Sequence, residues 1–430
     1  MKLWDKGYTT ENIVERFTVG NDRTLDLKLA KYDVLGNMAH AKMLNKSGFI
    51  TDDELAQMLN VLEEILLSIK EGTFEIEDEF EDVHSKIEHV LIEKVGESGK
   101  KIHTARSRND QILVDLHLYS KVEIKEIIVL TETLFHTLLR LADEHKGVLL
   151  PGYTHLQIAM PSSFGLWFSA YAESLIDDIT FLNAAYQIAD QNPLGSAAGY
   201  GTSFPIDRKM TTDLLGFKQL KYNVVAAQMG RGKLEKSVTF ALASVGSTLA
   251  KMSMDVCLYM SQNFNFIGFP KELTTGSSIM PHKQNPDVFE LIRGKCNKIQ
   301  NLPTEIMAIT NNLPSGYHRD LQLLKESFID AIESMKGCLA VSDFMLQHIV
   351  VKADILKNPM YDYLYSVEMV NKLVMQGMTF RDAYKQLGQD ILEGKFIPEK
   401  EISHTHEGSI GNLCLDEIRN KFKLVKQAIN

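Results

Sequence analysis

The stretch NDQILVDLHLYSKVEIKEIIVLTETLFHTLLRLADEHK, residues 109–146, decides the fold. It runs for 38 residues without proline or glycine, and apolar residues such as Leu113 and Leu116 recur along it at helical spacing. Gly147 then ends the pattern, and Pro151 prevents it from resuming. These residues predict a helix much longer than the usual ~11–12 residues.

Four further helical patterns of roughly 30 residues each follow this stretch. Helices of such length are typical of a long bundle, a coiled coil or a helical repeat. Because heptads are not sustained and no fixed repeat period is visible, we predict an all-α fold with a bundle of five long helices. Pro303 predicts a kink or a break in one of them. The four patterns cover roughly residues 163–189, 231–260, 286–311 and 321–351.

Shorter elements flank the long patterns on both sides. Residues Thr51–Glu54 read TDDE, a capping box that predicts a helix over residues 54–70. After about residue 352 glycine and proline interrupt the helical pattern repeatedly. We therefore predict three domains, namely an N-terminal helical domain over 1–103, a central long-helix bundle over 104–352 and a short C-terminal helical domain over 353–430.

Charge and cysteine usage limit the possible classes of function. The 430 residues carry 46 Lys plus Arg against 56 Asp plus Glu, a formal charge of −10, which argues against general nucleic-acid or membrane-surface binding. No stretch reaches the ~20 apolar residues of a membrane helix, and Met1–Lys6 lacks the features of a signal peptide. The four cysteines form no CxxC pair, which indicates reduced thiols. We expect a cytoplasmic protein that holds any anionic ligand through a local cationic cluster.

A first polar cluster, HTARSRNDQ, covers residues 103–111 at the start of the long helix. Arg106, Arg108 and Asn109 offer planar donors there, and the helix N-terminus adds partial positive charge. This arrangement suits a carboxylate ligand. A solvated basic cap is the alternative that this segment alone leaves open.

A second polar segment, GYTHLQ, covers residues 152–157 directly after Pro151. Its histidine, His155, has the chemistry of a general acid or base near neutral pH. A turn histidine with satisfied hydrogen bonds is the alternative.

The third cluster is TGSSIMPHKQNPD, residues 275–287. Glycine and paired serines predict a mobile loop with exposed backbone amides, and Asn285 reads as the N-cap of a helix that begins at Pro286. A hydroxyl, Lys283 and several amides beside a helix start can surround a developing oxyanion. A structural linker is the alternative reading of the composition.

Two histidine-containing segments invite a metal interpretation. His84, Glu88 and His89 lie in EFEDVHSKIEH, residues 79–89, but their spacing differs from the known zinc motifs. His404 and His406 are more typical of a surface loop. We predict no metal site.

The segment GSSIMPHKQNP resembles the GSSxMPxKxNP signature of the fumarase/aspartase superfamily. The resemblance runs from about residue 10 to residue 390, with the motifs in the same order, and the last ~40 residues match only loosely. Four segments resemble the argininosuccinate lyases in particular, namely KIHTARSRNDQ (101–111), PGYTHLQIAMP (151–161), PLGSAAGYGTSFPIDR (193–208) and LPSGYHRDLQ (313–322).

This resemblance implies a reversible β-elimination of argininosuccinate to L-arginine and fumarate, the last step of arginine biosynthesis, with no metal or organic cofactor. It also implies three helical domains, a homotetramer with a 20-helix core, and active sites shared between subunits.

The same resemblance implies roles for individual residues. Ser277 is expected to act as base, His155 as acid and Lys283 as oxyanion stabiliser, with Glu290 holding the His155 ring, although the order of base and acid stays open. The expected substrate-binding residues are Arg108, Asn109 and Thr154 for the succinyl carboxylates, Tyr317, Gln322 and Lys325 for the arginine end, Asn285 supporting the loop, and Ser107 and His84 as further lining.

The chain departs from the pattern of these lyases at a few positions. His282 and Gln284 replace residues of a QKKN-like stretch, and Leu323-Leu324 replace an acidic pair. The MPHK form resembles the adenylosuccinate lyases, which are the nearest alternative family. A non-catalytic structural homologue is the alternative from another class.

Overall fold

A computed structural model describes residues 12–427 of the chain. The segment Met1–Lys6, which we examined for a signal peptide, lies outside the described residues. In chain order the α-helices of the described part are α1 Asn12–Val19, α2 Asp22–Lys46, α3 Asp52–Glu71, α4 Val83–Val95, α5 Glu97–Lys100, α6 Arg108–Glu144, α7 Phe164–Ala189, α8 Arg208–Leu214, α9 Val224–Gln228, α10 Lys233–Met260, α11 Asp287–Thr310, α12 Leu324–Leu346, α13 Ser366–Met375, α14 Phe380–Leu392 and α15 Leu415–Lys426.

The strands between residues 12 and 427 are short and pair in twos. The antiparallel pair β1–β2 forms a hairpin, β3 and β4 are parallel, and β5 and β6 are antiparallel. The all-α fold class is therefore confirmed, although the β1–β2 hairpin was not predicted. The strands are β1 Leu149–Thr154, β2 Gln157–Ser163, β3 Gln191–Asn192, β4 Gln219–Leu220, β5 Ile267–Gly268 and β6 Val350–Val351.

The five predicted long helices correspond to α6, α7, α10, α11 and α12. Helix α11 continues through Pro303, so of the predicted kink or break the break is wrong and the kink stays a prediction. A proline removes one backbone donor, and the buried neighbours Leu302 and Ile306 keep that turn packed. Helix α12 ends at Leu346, five residues before the predicted end. Helix α2, with 25 residues, is a further long helix that periodicity did not single out.

Contacts within the chain divide it into two compact units. The boundary falls inside each of α6, α7, α10, α11 and α12, so these helices contribute residues to both units. The three-domain division with boundaries near residues 103 and 352 stays a prediction. The first unit comprises residues up to Ile127, Phe181–Ser244 and Lys298–Met335, and the second comprises Ile128–Thr180, Val245–Asn297 and Lys336 onward.

The core of the first unit forms where α2, α3 and α4 meet. Leu44, Leu62 and Leu91 are fully buried there. Helix α3 begins with the predicted capping box, in which Thr51 and Glu54 bond each other's backbone amides. In the second unit, helix α15 packs through the ring of Phe422, which stacks on the ring of Phe135 with 4.0 Å between the ring centroids. No helix in the described part of the chain is both long and apolar enough to cross a membrane.

Candidate active site

A charged cavity of about 100 Å³ lies in the first unit. Six residues predicted to bind substrate line it together, although they come from segments more than 200 positions apart. The cavity also contains acidic and basic side chains that the sequence did not reveal. The predicted members are His84, Arg108, Asn109, Tyr317, Gln322 and Lys325, and the others are Asp22, Asp26, Glu81, Asp82, Ile112, Arg231 and Arg319.

Lys325 reaches one wall of this cavity, where two carboxylates meet its ammonium group. Its Nζ lies 2.6 Å from Asp26 and 2.8 Å from Asp22, which follow one another at helical spacing on α2. Burial would lower the pKa of Lys325, but these two carboxylates raise it. Burial raises the pKa of Asp22 against the pull of Lys325. The wall therefore carries an ammonium between two acids, with an excess of negative charge.

Arg108, the first residue of α6, lies between two other acids. Its guanidinium donates to Glu81 at 3.2 Å and to Asp82. Asp82 is also the N-cap of α4, since its Oδ1 accepts from the amide of Ser85 at 2.8 Å. Burial would raise the pKa of Asp82, but His84 and Arg108 together with the Ser85 bonds hold it at about 2. Arg108 is thus fixed at the cavity by ionised partners.

Gln322 and Arg319 come from the LPSGYHRDLQ segment and tie it to the chain before α2. The Gln322 amide donates to the carbonyl of Thr18 at 2.9 Å, and Arg319 donates to the same carbonyl and to Glu81 at 3.0 Å. The guanidinium of Arg231 is buried and donates to Glu235 and to the carbonyl of Leu321. These bonds bring the 313–322 segment to the cavity.

His84 lies at the back of the cavity beside two buried acids. Its Nδ1 is 2.9 Å from Asp33 and 3.9 Å from Asp115. These three residues are the one group within residues 12–427 whose ligand atoms are close enough to hold a metal ion. The hydrogen bond between His84 and Asp33 already occupies Nδ1, and the cationic groups of Arg106 and Lys325 also act on Asp115. The predicted absence of a metal site remains a prediction.

Within residues 12–427, neither histidine segment by itself brings enough ligand atoms together to hold a metal ion, although the rings of His404 and His406 stack. Glu88 pairs with His103 at 3.2 Å, while the ring of His89 packs against Phe80. His404 lies 2.9 Å from Glu368. Each histidine has its own local partner.

Asp110 connects two of the motifs that resemble the argininosuccinate lyases. Its buried carboxylate accepts hydrogen bonds from the backbone amides of Gly195, Ser196 and Ala197 and from the Ser196 hydroxyl. Burial raises the pKa of Asp110 to about 6 despite these bonds. The RSRNDQ segment therefore positions the PLGSAAGYG loop through one side chain.

Six of the remaining predicted residues belong to the second unit. His155 and Leu156 form the two-residue turn of the β1–β2 hairpin, and both have positive φ, 54° and 58°, as a type I′ turn requires. Thr154 ends β1 beside them, and its side chain and that of His155 are exposed. Glu290 is exposed on α11, and within residues 12–427 no hydrogen bond or ion pair joins it to His155.

The 275–287 loop is closed at its base by Thr275 and Asn285. The Asn285 amide donates to the Thr275 carbonyl at 2.8 Å, and its side chain donates to the Gly276 carbonyl. Helix α11 begins at Asp287, so the prediction of Asn285 as its N-cap is wrong. Pairing with Thr275 uses the Asn285 side chain within the loop instead.

Inside this loop, the Ser277 hydroxyl oxygen faces two backbone amides. It accepts hydrogen bonds from Met280 at 3.2 Å and from Ile279 at 3.4 Å. Lys283 is exposed on the same loop. In the described part of the chain, its ammonium makes no hydrogen bond or ion pair. The loop therefore presents a hydroxyl, amides and a cation together.

Ser107 precedes α6 and does not line the cavity. Its carbonyl accepts from the amides of Asp110 and Gln111, and its hydroxyl lies 3.4 Å from the amide of Asn109. Ser107 thus organises the start of the helix that carries Arg108. The roles predicted for all thirteen site residues remain predictions, although six of those residues meet in the cavity.

The acids of the cavity were missed because their partners are distant in sequence. Glu81 and Asp82 lie in the segment that we examined for metal ligands, and Arg319 lies in a quoted motif. The Asp22 and Asp26 pair had one available signal, namely two acids four residues apart on a helix. Arg231 had no signal beyond its position before a long helix.

Comparisons with known proteins agree with the motifs. A family model described as Lyase matches residues 6–301. An argininosuccinate lyase of Bacteroides thetaiotaomicron is 56% identical over 429 residues, covering 100% of this chain and 96% of the relative. An argininosuccinate lyase of Thermotoga neapolitana is 39% identical over 388 residues, covering 90% of this chain and 98% of the relative.

The chain belongs to the argininosuccinate lyase family. As a member of this family it is an enzyme, a carbon–nitrogen lyase that acts on a small molecule. Solved structures show the same fold at low identity. EDDS lyase in complex with formate has a TM-score of 0.74 at 19% identity, covering 98% of this chain and 91% of that one. Class II fumarase of Schistosoma mansoni has a TM-score of 0.75 at 15% identity, covering 96% of this chain and 94% of the fumarase.

Proposed function

We propose that the protein splits argininosuccinate into L-arginine and fumarate by a reversible β-elimination that needs no metal or organic cofactor. The observation that carries this proposal is the convergence of two motifs on one charged cavity. Arg108 and Asn109 come from RSRNDQ, while Tyr317 and Gln322 come from GYHRDLQ. Membership of the argininosuccinate lyase family supports the same reaction.

The chemistry requires a strong stabilisation of negative charge. The proton to be removed is on a carbon next to a carboxylate, so the resulting carbanion must delocalise into that carboxylate as a doubly charged form. We assign this charge to Lys283, which is exposed on the loop, and to backbone amides near Ser277. Preorganised donors of this kind are usually the largest single contribution to catalysis.

Ser277 is our candidate for the base, and His155 for the acid toward the departing guanidine nitrogen. A free serine hydroxyl is a weak base, but two amides already donate to the Ser277 oxygen and would stabilise its negative charge. His155 is exposed at a hairpin tip, where a substrate nitrogen can reach it. The opposite assignment of base and acid stays open, and Glu290 is our candidate for holding the His155 ring.

Charge complementarity supports the assignment of the cavity to substrate. We assign the succinyl carboxylates to Arg108, Asn109 and Thr154, because guanidinium and amide groups bind carboxylates with directional donors. The arginine end carries an ammonium and a carboxylate, which match the Asp22, Asp26 and Lys325 wall in charge. Tyr317 and Gln322 complete that end, and Asn285 supports the loop.

We further infer that the protein is a cytoplasmic homotetramer with active sites shared between chains, and that it binds neither nucleic acid nor membranes. The long helices expose large apolar side chains, which is typical of surfaces buried in an assembly. Examples from all five are Val129 on α6, Phe181 on α7, Phe240 on α10, Leu291 on α11 and Phe344 on α12.

The test offers the purified protein argininosuccinate and adenylosuccinate separately and follows fumarate by its ultraviolet absorbance. Fumarate from argininosuccinate alone is the expected result. Release from adenylosuccinate alone would instead make the MPHK loop the better guide to substrate. Fumarate from neither compound, with a folded protein, would contradict the proposed reaction.

A pair of serine variants tests the mechanism in the same assay. Ser277→Ala should lower kcat by about a thousandfold, the range of a lost general base, without changing the circular dichroism. Ser278→Ala is the matched control, because it removes the neighbouring hydroxyl from the same loop and should retain activity close to wild type. Full activity of Ser277→Ala would remove Ser277 from the mechanism.

A further inference from the structure

Two buried carboxyl groups behind the cavity have no role in the reaction as assigned above. Asp33 on α2 is 1% exposed and Asp115 on α6 is 0% exposed. Both lie next to His84, whose ring lines the cavity. Burying a carboxyl group is costly unless it is paired, so this arrangement needs a physical reason.

The hydrogen bond from His84 to Asp33 orients the imidazole. An ionised carboxylate can only accept, so the Nδ1 atom, 2.9 Å from Asp33, carries a hydrogen. Asp33 is itself held in place, because its other oxygen accepts from the Asn37 amide at 3.0 Å. The opposite ring atom, Nε2, makes no hydrogen bond to any residue within 12–427. His84 therefore faces the cavity with Nε2 while Asp33 holds it from behind.

The two carboxyl groups differ in their hydrogen bonds. Asp33 accepts from His84 and Asn37, whereas neither oxygen of Asp115 receives a hydrogen bond from the described residues. Burial, together with Asp33 and Asp26, raises the pKa of Asp115 well above its usual range. Asp33 is consequently the hydrogen-bonded partner that holds His84, whereas Asp115 lies beside the ring without a hydrogen bond to it.

The surroundings favour a protonated ring. Burial alone would lower the pKa of His84, but Asp33, Asp82 and Asp26 raise it. The cations that line the cavity are already paired with acids other than Asp33, whereas the buried Arg106, before α6, interacts with both Asp33 and Asp115. The charged or titratable groups around the ring are Asp26 and Asp33 on α2, Asp82 before α4, Arg108 and Asp115 on α6, and Asp22, Glu81, Arg231, Arg319 and Lys325 along the cavity.

We propose that Asp33 is a positioning residue, which holds His84 as an imidazolium so that its Nε2–H is presented to the cavity as a fixed, charged donor for a carboxylate of the substrate. This inference rests on the proposed function and deepens it. It gives His84 a defined role as a donor and adds a residue that touches no substrate. Proton donation to the departing nitrogen is left to the loop and hairpin residues of the mechanism.

The kinetic test compares Asp33→Asn with Asp115→Asn. Asp33→Asn removes the charge that holds the imidazolium, so KM for argininosuccinate should rise roughly tenfold to a hundredfold, the contribution of a hydrogen bond to a charged group, with a smaller effect on kcat. Asp115→Asn is the matched control, since it changes the other buried carboxyl beside His84, which makes no hydrogen bond to the ring, and it should leave KM close to wild type. Asp33→Glu should restore much of the affinity.

The pH profile separates positioning from a general loss of structure. In the wild type, Asp33 raises the pKa of His84, so we expect the ring to stay charged and kcat/KM to show no limb from this residue near neutral pH. In Asp33→Asn the pKa of the ring should fall, because burial still lowers it while the contribution of Asp33 is lost, and kcat/KM should then decrease as the pH rises toward neutral. An unchanged KM and pH profile in Asp33→Asn, or an equal rise of KM in Asp115→Asn, would overturn the proposal.

Nitrogen-15 spectra of histidine-labelled protein provide a readout that does not depend on turnover. The His84 signal, assigned by its loss in His84→Gln, should show both ring nitrogens protonated at pH 8 in the wild type but not in Asp33→Asn. A neutral ring in the wild type would refute the inference even if fumarate is released. A charged ring in a protein that does not cleave argininosuccinate would show that the proposed function, rather than the Asp33–His84 pair, has failed.

Discussion

The two oxygens of the Asp82 carboxylate have different tasks. One caps α4 through the amide and hydroxyl of Ser85, and the other pairs with Arg108 at the cavity. Asparagine can replace aspartate as an N-cap at little cost, whereas it cannot provide the charge. Substitution at this residue can therefore separate the helix cap from the ion pair.

We predict that Asp82→Asn lowers the free energy of unfolding at pH 7 by about 2–3 kcal/mol, from a folded pKa of about 2 against about 3.9 in the unfolded chain. A lowered pKa contributes stability that is complete above the unfolded value and is lost as the pH falls through the folded one. The difference in the free energy of unfolding between the variant and the wild type should therefore become smaller as the pH falls from 4 to 2. Urea unfolding followed by circular dichroism at each pH measures this difference.

The control for this prediction is Asp207→Asn. Asp207 also caps a helix, α8, by accepting from the amide of Met210 at 2.9 Å, and it also pairs with a cation, Lys46. Its side chain is 37% exposed, so water screens that pair and its loss should be small. Equal effects of the two substitutions would contradict the importance of burial at Asp82.

At the residue scale the sequence predicted one half of the cavity. The predicted residues belong to long sequence motifs that can be recognised without a structure, namely Arg108, Asn109, Tyr317 and Gln322. The acids of the cavity could not be assigned to their partners from the sequence. The ion pair between Asp26 and Lys325, for example, forms only when the chain folds. Motif recognition detects specialised segments, while ordinary acids acquire their role only from neighbours in space.

At the element scale the β1–β2 hairpin shows how a strained turn holds His155, the residue that we propose as the acid. His155 and Leu156 both adopt positive φ, where histidine is tolerated and a bulky aliphatic residue is rare. Leu156 is 74% exposed, so packing of its side chain does not explain its presence. The conformation is imposed by the pairing of Thr154 with Gln157.

We predict that Leu156→Gly stabilises the hairpin by about 1 kcal/mol, because glycine avoids the steric cost of the left-handed region. Amide hydrogen exchange at Tyr153 and Ile158, which pair across the hairpin, should slow in this variant. Leu156→Val should speed it, since a β-branched residue tolerates positive φ least. Faster exchange in Leu156→Gly would argue against strain in this turn.

The helices were largely predictable from the sequence, and the errors have physical causes. The capping box at Thr51 and the breaker at Gly147 act locally, so α3 and α6 begin or end within a few residues of prediction. The fate of Pro303 and Asn285 depended on packing and on a contact with Thr275, which no local rule contains. The hairpin was missed because its strands are short and lie between two long helices.

At the scale of the whole molecule, the reactive groups proposed for catalysis lie on exposed segments. His155 and Lys283 are exposed, while the elimination needs a site from which water is excluded. The long helices also expose apolar side chains, which the proposed assembly would bury in part. A homotetramer with shared sites would provide that enclosure by placing groups of different chains together.

Hybrid tetramers test this proposal directly. His155→Asn and Ser277→Ala chains should each be inactive alone, because each lacks one group of the proposed acid–base pair. If every site takes His155 from one chain and Ser277 from another, random mixing at equal amounts leaves both groups intact in about one site in four. Co-expressed variants should therefore recover about a quarter of wild-type fumarate release, measured on tetramers whose mixed composition is established by mass spectrometry. Mixed tetramers without activity would place His155 and Ser277 of each site on the same chain, since no site would then contain both groups. Mixing each variant with itself is the control, because it subjects the protein to the same handling without offering the missing group.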